Sequence, residues 1–153
     1  MENTSRQEKA KQLFESGCLC AQAVLTAFAP ECGLTDEQAM KLGACFGTGM
    51  RKGEVCGACT GGLMALGMLC SRPGEDRAAG RPRADEANDE MTARFEKTCG
   101  ALRCRDLLGC DVTTEEGIAY AIEHHLFLDR CPGYVAAAVK IAEEISSAAK
   151  ERS

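Results

Sequence analysis

The chemistry open to this chain lies in its sulfur. Cys56 and Cys59 form a CxxC pair in 53-GEVCGACTGG-62, where a glycine-rich loop is predicted to become a helix. A helix start offers unpaired N–H groups and a partial positive charge, which lower a thiol's pKa. The thiolate is both nucleophile and metal ligand, so such a pair suits either dithiol exchange or metal binding. The other nine of the eleven cysteines in 153 residues bear on that choice.

Cys104 and Cys131 are also predicted at or beside helix N-termini, the latter as N-cap before Pro132. Cys20 is predicted mid-helix in 18-CLCAQAV-24, facing the interior with Gly17, Ala21 and Val24. Four sulfurs from four elements would then meet at one end of a core, the way helix bundles build metal sites from facing helices. Cys20, Cys56, Cys104 and Cys131 lie far apart in the chain, unlike the paired CxxC units of zinc ribbons and fingers. Thr60 follows Cys59, so the CxxCH signature of c-type haem attachment is absent, and no ferredoxin-like run of cysteines occurs. Any metal must be held by tertiary arrangement. Soft thiolate sites select iron–sulfur clusters, zinc or Cu(I).

The remaining thiols have a simpler reading. Cys32, Cys45, Cys70 and Cys110 are expected as small buried hydrophobes. Cys59, one turn along from Cys56, would share its cavity or be a spectator. Cys18 and Cys99 lie near Cys20 and Cys104 but carry less support. His124 and His125 are adjacent and would point about 100° apart on a helix, so they make no pair on one face. The segment 47-GTGMRKG-53 has its lysine misplaced for a phosphate loop and no strand before it.

These residues need helices to position them. Ser5 with Glu8 is a capping box for a helix to about Phe28, with Leu13, Phe14, Gly17, Ala21, Val24, Leu25 and Phe28 at helical spacing. Thr35 with Gln38 caps a short helix through Leu42 to Phe46. From Cys56 to Cys70 the chain is almost wholly apolar or small, which predicts a buried central helix, too short to cross a bilayer. Residues 71–84, rich in Gly, Pro and Arg, are expected as a flexible loop. Asp85 then caps a helix carrying Ala87, Met91 and Phe95, and a turn follows at Cys104 to Leu108. Another helix is expected from Thr114 to about Leu128, with Ile118, Ile122 and Leu126 inward. The last begins at Cys131 and buries Val135, Val139, Ala142 and Ile145. With scarce aromatics and no alternating strand, the expectation is an all-α, single-domain helical bundle with a buried glycine-rich central helix.

Composition narrows the partners. A net charge of −5 argues against nucleic-acid binding, and no apolar run is long enough for a membrane span. The polar opening MENTSRQEKAKQ does not look like a secretory signal, and the odd cysteine count fits a disulfide framework poorly. A reducing cytoplasm is the expected compartment. The apolar faces would pack equally well within one chain or across a homodimer, and the redox partner is unknown.

The order of motifs resembles the redox-active protein family named for its pattern, C_GCAxxG_C_C. The matching pieces are 20-CAQAV-24, 56-CGACTGG-62 with 63-LMALGM-68, 100-GALRCRDLLG-109 and 131-CPGYVAAAVKIAEEI-145, spanning about Leu13 to Ile145. The resemblance implies a small all-helical domain whose redox-active or metal-binding cysteines are suspected of holding an iron–sulfur cluster. Carried over by position, these are Cys20, Cys56, Cys104 and Cys131, with Cys59 an added cysteine in the middle motif. The leading expectation is a metal-binding protein, with an iron–sulfur cluster used for electron transfer. Two alternatives stand beside it: a dithiol/disulfide oxidoreductase or peroxidase with Cys56 and Cys59 as catalytic pair, and a structural zinc-binding helical module.

Overall fold

The computed structural model describes residues 4–152. The first three residues of the polar opening stretch, and Ser153, lie outside the described residues. Among the described residues the chain forms nine α-helices and no strand: α1 (Arg6–Glu15), α2 (Cys20–Ala27), α3 (Ala29–Cys32), α4 (Asp36–Gly43), α5 (Gly57–Cys70), α6 (Arg77–Cys99), α7 (Cys104–Leu108), α8 (Glu115–Glu123) and α9 (Leu126–Glu151). No helix of these residues is long and apolar enough to cross a membrane.

The all-α expectation holds, and so does the central place of α5. Its sequence GACTGGLMALGMLC is apolar or small on every side, so it can be surrounded; α2, α6 and α9 pack on it, and α3 touches it. Leu66 of α5 belongs to one buried core cluster with Val24, Leu25 and Phe28, with Met91 and Phe95 of α6, and with Val135 and Val139 of α9, each at most 1% exposed. The capping box at Thr35 and Gln38 forms as read, opening α4. Arg6 lies over the Phe28 ring and pairs with Glu31 and Glu143, tying α1 to α3 and α9.

Several boundaries differ from expectation: α4 ends at Gly43 short of Phe46, and Asp85 lies inside α6 instead of capping it. The first helix is two: α1 ends at Glu15, with Gly17 at φ +112°. The Gly17 N–H bonds Phe14 O and the Cys18 N–H bonds Leu13 O, the two reverse bonds of a Schellman end. The expected loop at 71–84 is irregular only to Asp76, and α6 starts at Arg77 with Pro82 inside it. Proline there removes the bond to Ala78 O, which solvent can take because Ala78 is exposed. Arg83 folds this start back by bonding Glu75 and the Cys70 carbonyl. The last helix begins at Leu126 rather than Cys131, behind His125 at φ +55°. Pro132 is thus internal, and the carbonyl it leaves free belongs to exposed Leu128. Finally, α8 stops at Glu123 and buries only Ala121; Ile118 and Ile122 face outward, while Leu126 is buried as expected.

Candidate functional site

The boundary changes exchange two cysteines between roles. Cys20 becomes the first residue of α2, at a helix start, and Cys131 becomes an internal residue of α9. Cys56 is the N-cap of α5 and Cys104 the first residue of α7, close to expectation. All four still reach one place. A cavity of about 250 Å³ is lined by Cys20, Cys56, Cys104 and Cys131, by Cys18, and by Phe14, Leu107, Leu108 and Phe127 among others.

Backbone pairing brings Cys56 beside Cys104. Val55 and Arg103 form an isolated antiparallel bridge; the Cys56 N–H donates to Leu102 O at 2.9 Å and the Cys104 N–H to Glu54 O at 2.7 Å. A glycine brings Cys56 beside Cys20. A Cβ on Gly57 would lie 2.9 Å from Phe46 O and 3.2 Å from Cys20 Cβ, so only glycine lets α5 start this close to α2. Cys131 is delivered by its neighbours: Arg130 and the Tyr134 hydroxyl donate to Leu107 O at 2.9 and 3.2 Å, docking α9 on the end of α7. Cys20 and Cys131 are near enough for each thiol to shift the other's acidity, joining the first and last elements of the site.

One wall is a left-handed turn. Thr48, Gly49, Met50 and Arg51 have φ of 46°, 60°, 58° and 61° in succession, and Thr48 and Gly49 line the cavity. Each non-glycine residue in that conformation costs roughly 1–2 kcal/mol. The turn is held by the Glu54 N–H on Gly49 O at 3.1 Å, and by Arg105, which donates to Gly53 O at 3.2 Å and Lys52 O at 2.6 Å. The Glu54 carboxylate pairs with Arg103 and Arg105. Arg105→Ala is expected to cost about 1–2 kcal/mol in urea denaturation, since two charge-assisted bonds at a partly exposed site are lost. It should also speed alkylation of Cys56 in the folded protein. Unchanged stability and unchanged alkylation would show that the turn stands without its arginine.

Three of the four thiols stand at helix starts, yet their acidity is not raised. Burial pushes Cys56 up to about 12, while the Ala58 and Cys59 amides act in the opposite sense without making a capping hydrogen bond. Burial likewise takes Cys104 to about 12, with Cys131 and Cys110 adding to it. Cys20 is held well above the ordinary thiol value by the neighbouring Cys131 thiol and by burial, and Cys131 is lowered by the same neighbour. The helix starts therefore do not acidify these thiols as expected: in an apolar pocket without a metal Cys20, Cys56 and Cys104 stay protonated, because desolvation outweighs the helix ends.

That acidity has a stability consequence. Cys56, Cys59 and Cys104 keep their protons to about pH 12 in the folded metal-free chain, against an ordinary thiol value of 9.0. The folded pKa is the higher one, so the stability they contribute is complete below pH 9 and is lost as pH rises towards 12. Each such thiol should remove up to about 1.4 kcal/mol of stability per pH unit across that window. Urea midpoints of metal-free protein at pH 8, 9 and 10 should fall progressively; a flat series would contradict thiol burial.

The other cysteines fall elsewhere. Cys59 is fully buried in the core away from the cavity, with Cys99 as its thiol neighbour, so the CxxC pair is split between two environments. Cys32 is buried as expected, Cys70 and Cys110 are half-buried, and Cys45 is exposed, against expectation, just beyond α4. His124 stacks on Tyr120 at the exposed end of α8 and makes no pair with His125. Glu143 and Glu144 are half-buried or exposed and pair with Arg6 and Arg94. Sequence reasoning missed Arg130, Tyr134 and Arg105. Their signal was position: each lies within three residues of a site cysteine.

Among the described residues no three Cys, His, Asp or Glu side chains are drawn together tightly enough to hold a single metal ion. The thiols line one shared cavity instead. An all-helical fold with a multi-thiol cavity assembled from four separate elements defines a cysteine-rich helical domain. Within that class the chain belongs to the family described as "Putative redox-active protein (C_GCAxxG_C_C)", whose model matches residues 18–145. No curated protein and no solved structure matches the chain.

Proposed function

We propose that the protein binds an iron–sulfur cluster through Cys20, Cys56, Cys104 and Cys131 and uses it for electron transfer. The observation that carries this reading is the meeting of four thiols from α2, α5, α7 and α9 around one cavity of about 250 Å³. Four cysteines are the usual complement of two-iron and four-iron clusters. A single zinc ion would need all four sulfurs about 2.3 Å from one point, which leaves no cavity between them. When bound, the cluster supplies reversible one-electron chemistry. The chain's part is to hold, shield and tune. Phe14, Leu107, Leu108 and Phe127 keep water from the sulfurs. The thiols give up their protons on ligation, because a coordinating metal favours the thiolate that burial disfavours. The starts of α2 and α5 and the Arg130 guanidinium offset part of the negative charge so created.

The dithiol reading draws less support. Exchange through Cys56 and Cys59 needs both sulfurs accessible, and both are buried, with Cys59 directed into the core. Protein purified and reconstituted without oxygen should be coloured and carry iron with acid-labile sulfide. Zinc in stoichiometric amount without sulfide would favour the structural module, and a colourless protein free of iron would reject the proposal.

A further inference from the structure

We propose that Cys18 is a fifth thiol of the site, able to take the coordination position of Cys20. This rests on the metal-binding reading above and deepens it. Cys18 lines the same cavity as the four motif cysteines, giving five thiols where four positions are to be filled. It is two residues from Cys20, so their Cα atoms lie within about 7 Å of each other.

Cys18 differs from the rest of the site. Cys56, Cys104 and Cys131 are buried at 5%, 8% and 6% exposure, whereas Cys18 is half-buried. The spare thiol thus sits on the less sealed side of the cavity. Cys18 also lies outside any helix, in the link that follows the Schellman end of α1, next to Gly17. Its sulfur makes a loose contact with Ser16 Oγ at 3.9 Å, and the residue packs against the edge of the core. Cys110, the other thiol near this end, is a neighbour of Cys104 but does not line the cavity.

Either sulfur could fill the same position. The Cys18 thiol would give its proton to solvent on ligation, a released Cys20 sulfur would take one up, and no electron would move. The site would then keep its metal when Cys20 is alkylated or oxidised.

The test compares iron and acid-labile sulfide per chain, with the visible spectrum, in wild type and in Cys45→Ser, Cys20→Ser, Cys56→Ser and the double Cys18→Ser/Cys20→Ser protein. Far-UV circular dichroism checks that each is folded. Cys45→Ser, exposed and outside the cavity, is the control and should match wild type. Cys20→Ser should keep most of its iron with an altered spectrum, and the double variant should lose it about tenfold or more, as Cys56→Ser does. Loss in Cys20→Ser as complete as in Cys56→Ser, with wild type loaded, would overturn the assignment alone. A double variant as loaded as Cys20→Ser would overturn it too. Wild type without iron or sulfide would overturn the metal-binding reading and this assignment with it.

Discussion

Cys56→Ser is expected to abolish metal binding while leaving the metal-free fold intact. Serine is a preferred N-cap residue, and Cys56 is the N-cap of α5 with the Ala58 and Cys59 amides directed at its side chain. The variant should therefore melt within about 1 kcal/mol of the wild-type metal-free protein. A hydroxyl is a poor substitute for a thiolate on a soft metal, so affinity should drop by more than about 100-fold. Iron content per chain and the visible spectrum measure the first effect, and thermal melting in chelator measures the second. Cys45→Ser, at an exposed position, is the matched control and should bind metal as wild type does. A Cys56→Ser protein that remains fully loaded would remove this thiol from the site.

The second large effect is in the packing that brings the site together. A Cβ on Gly61 would sit 2.8 Å from the Ala21 carbonyl oxygen and 3.0 Å from Val24 Cβ, inside the contact between α5 and α2. A backbone carbonyl cannot turn aside as a flexible side chain can. Gly61→Ala should destabilise by about 1–3 kcal/mol, overpacking outweighing the roughly 1 kcal/mol that alanine gains in a helix. Gly67, on the same helix, has nothing within 4 Å of its would-be Cβ. Gly67→Ala should therefore stabilise by up to about 1 kcal/mol. Opposite signs in paired urea titrations are the expected result. Stabilisation by both would mean that α5 and α2 have slack between them, and Gly57 would lose its role in placing Cys56 beside Cys20.

Much of this molecule was legible because small and apolar residues announce a surrounded helix. The run from Gly57 to Cys70 admits no solvent-facing side, and α5 is indeed central. The break at Ser16–Gly17 was hidden by periodicity that continues from Leu13 and Phe14 to Ala21 and Val24 across it; glycine after serine was the signal for a helix end. Pro132 misled in the other direction. Proline marks a helix start when its neighbours are silent, but α9 tolerates it internally because the Leu128 carbonyl has access to water. Both shifts moved a cysteine along its helix without moving it out of the cavity, because packing between α2, α5, α7 and α9 sets the meeting point.

Thiol acidity was harder to read. Helix starts are local and visible in sequence, while the walls come from Phe14, Leu107, Leu108 and Phe127 in distant segments. Three-dimensional burial decided the sign. The left-handed turn was also beyond reach: glycines 49 and 53 hint at it, but Thr48, Met50 and Arg51 have no preference for that conformation. Arg105 holds it from the far side of the Val55–Arg103 bridge, and the adjoining Glu54 pairs with that arginine.

The most direct measurement is iron K-edge X-ray absorption on protein loaded without oxygen. The account predicts an iron shell of sulfur alone, with an iron–iron scatterer close by, and loss of that pattern in Cys56→Ser. An iron shell of oxygen and nitrogen, or the same spectrum with and without Cys56, would contradict it.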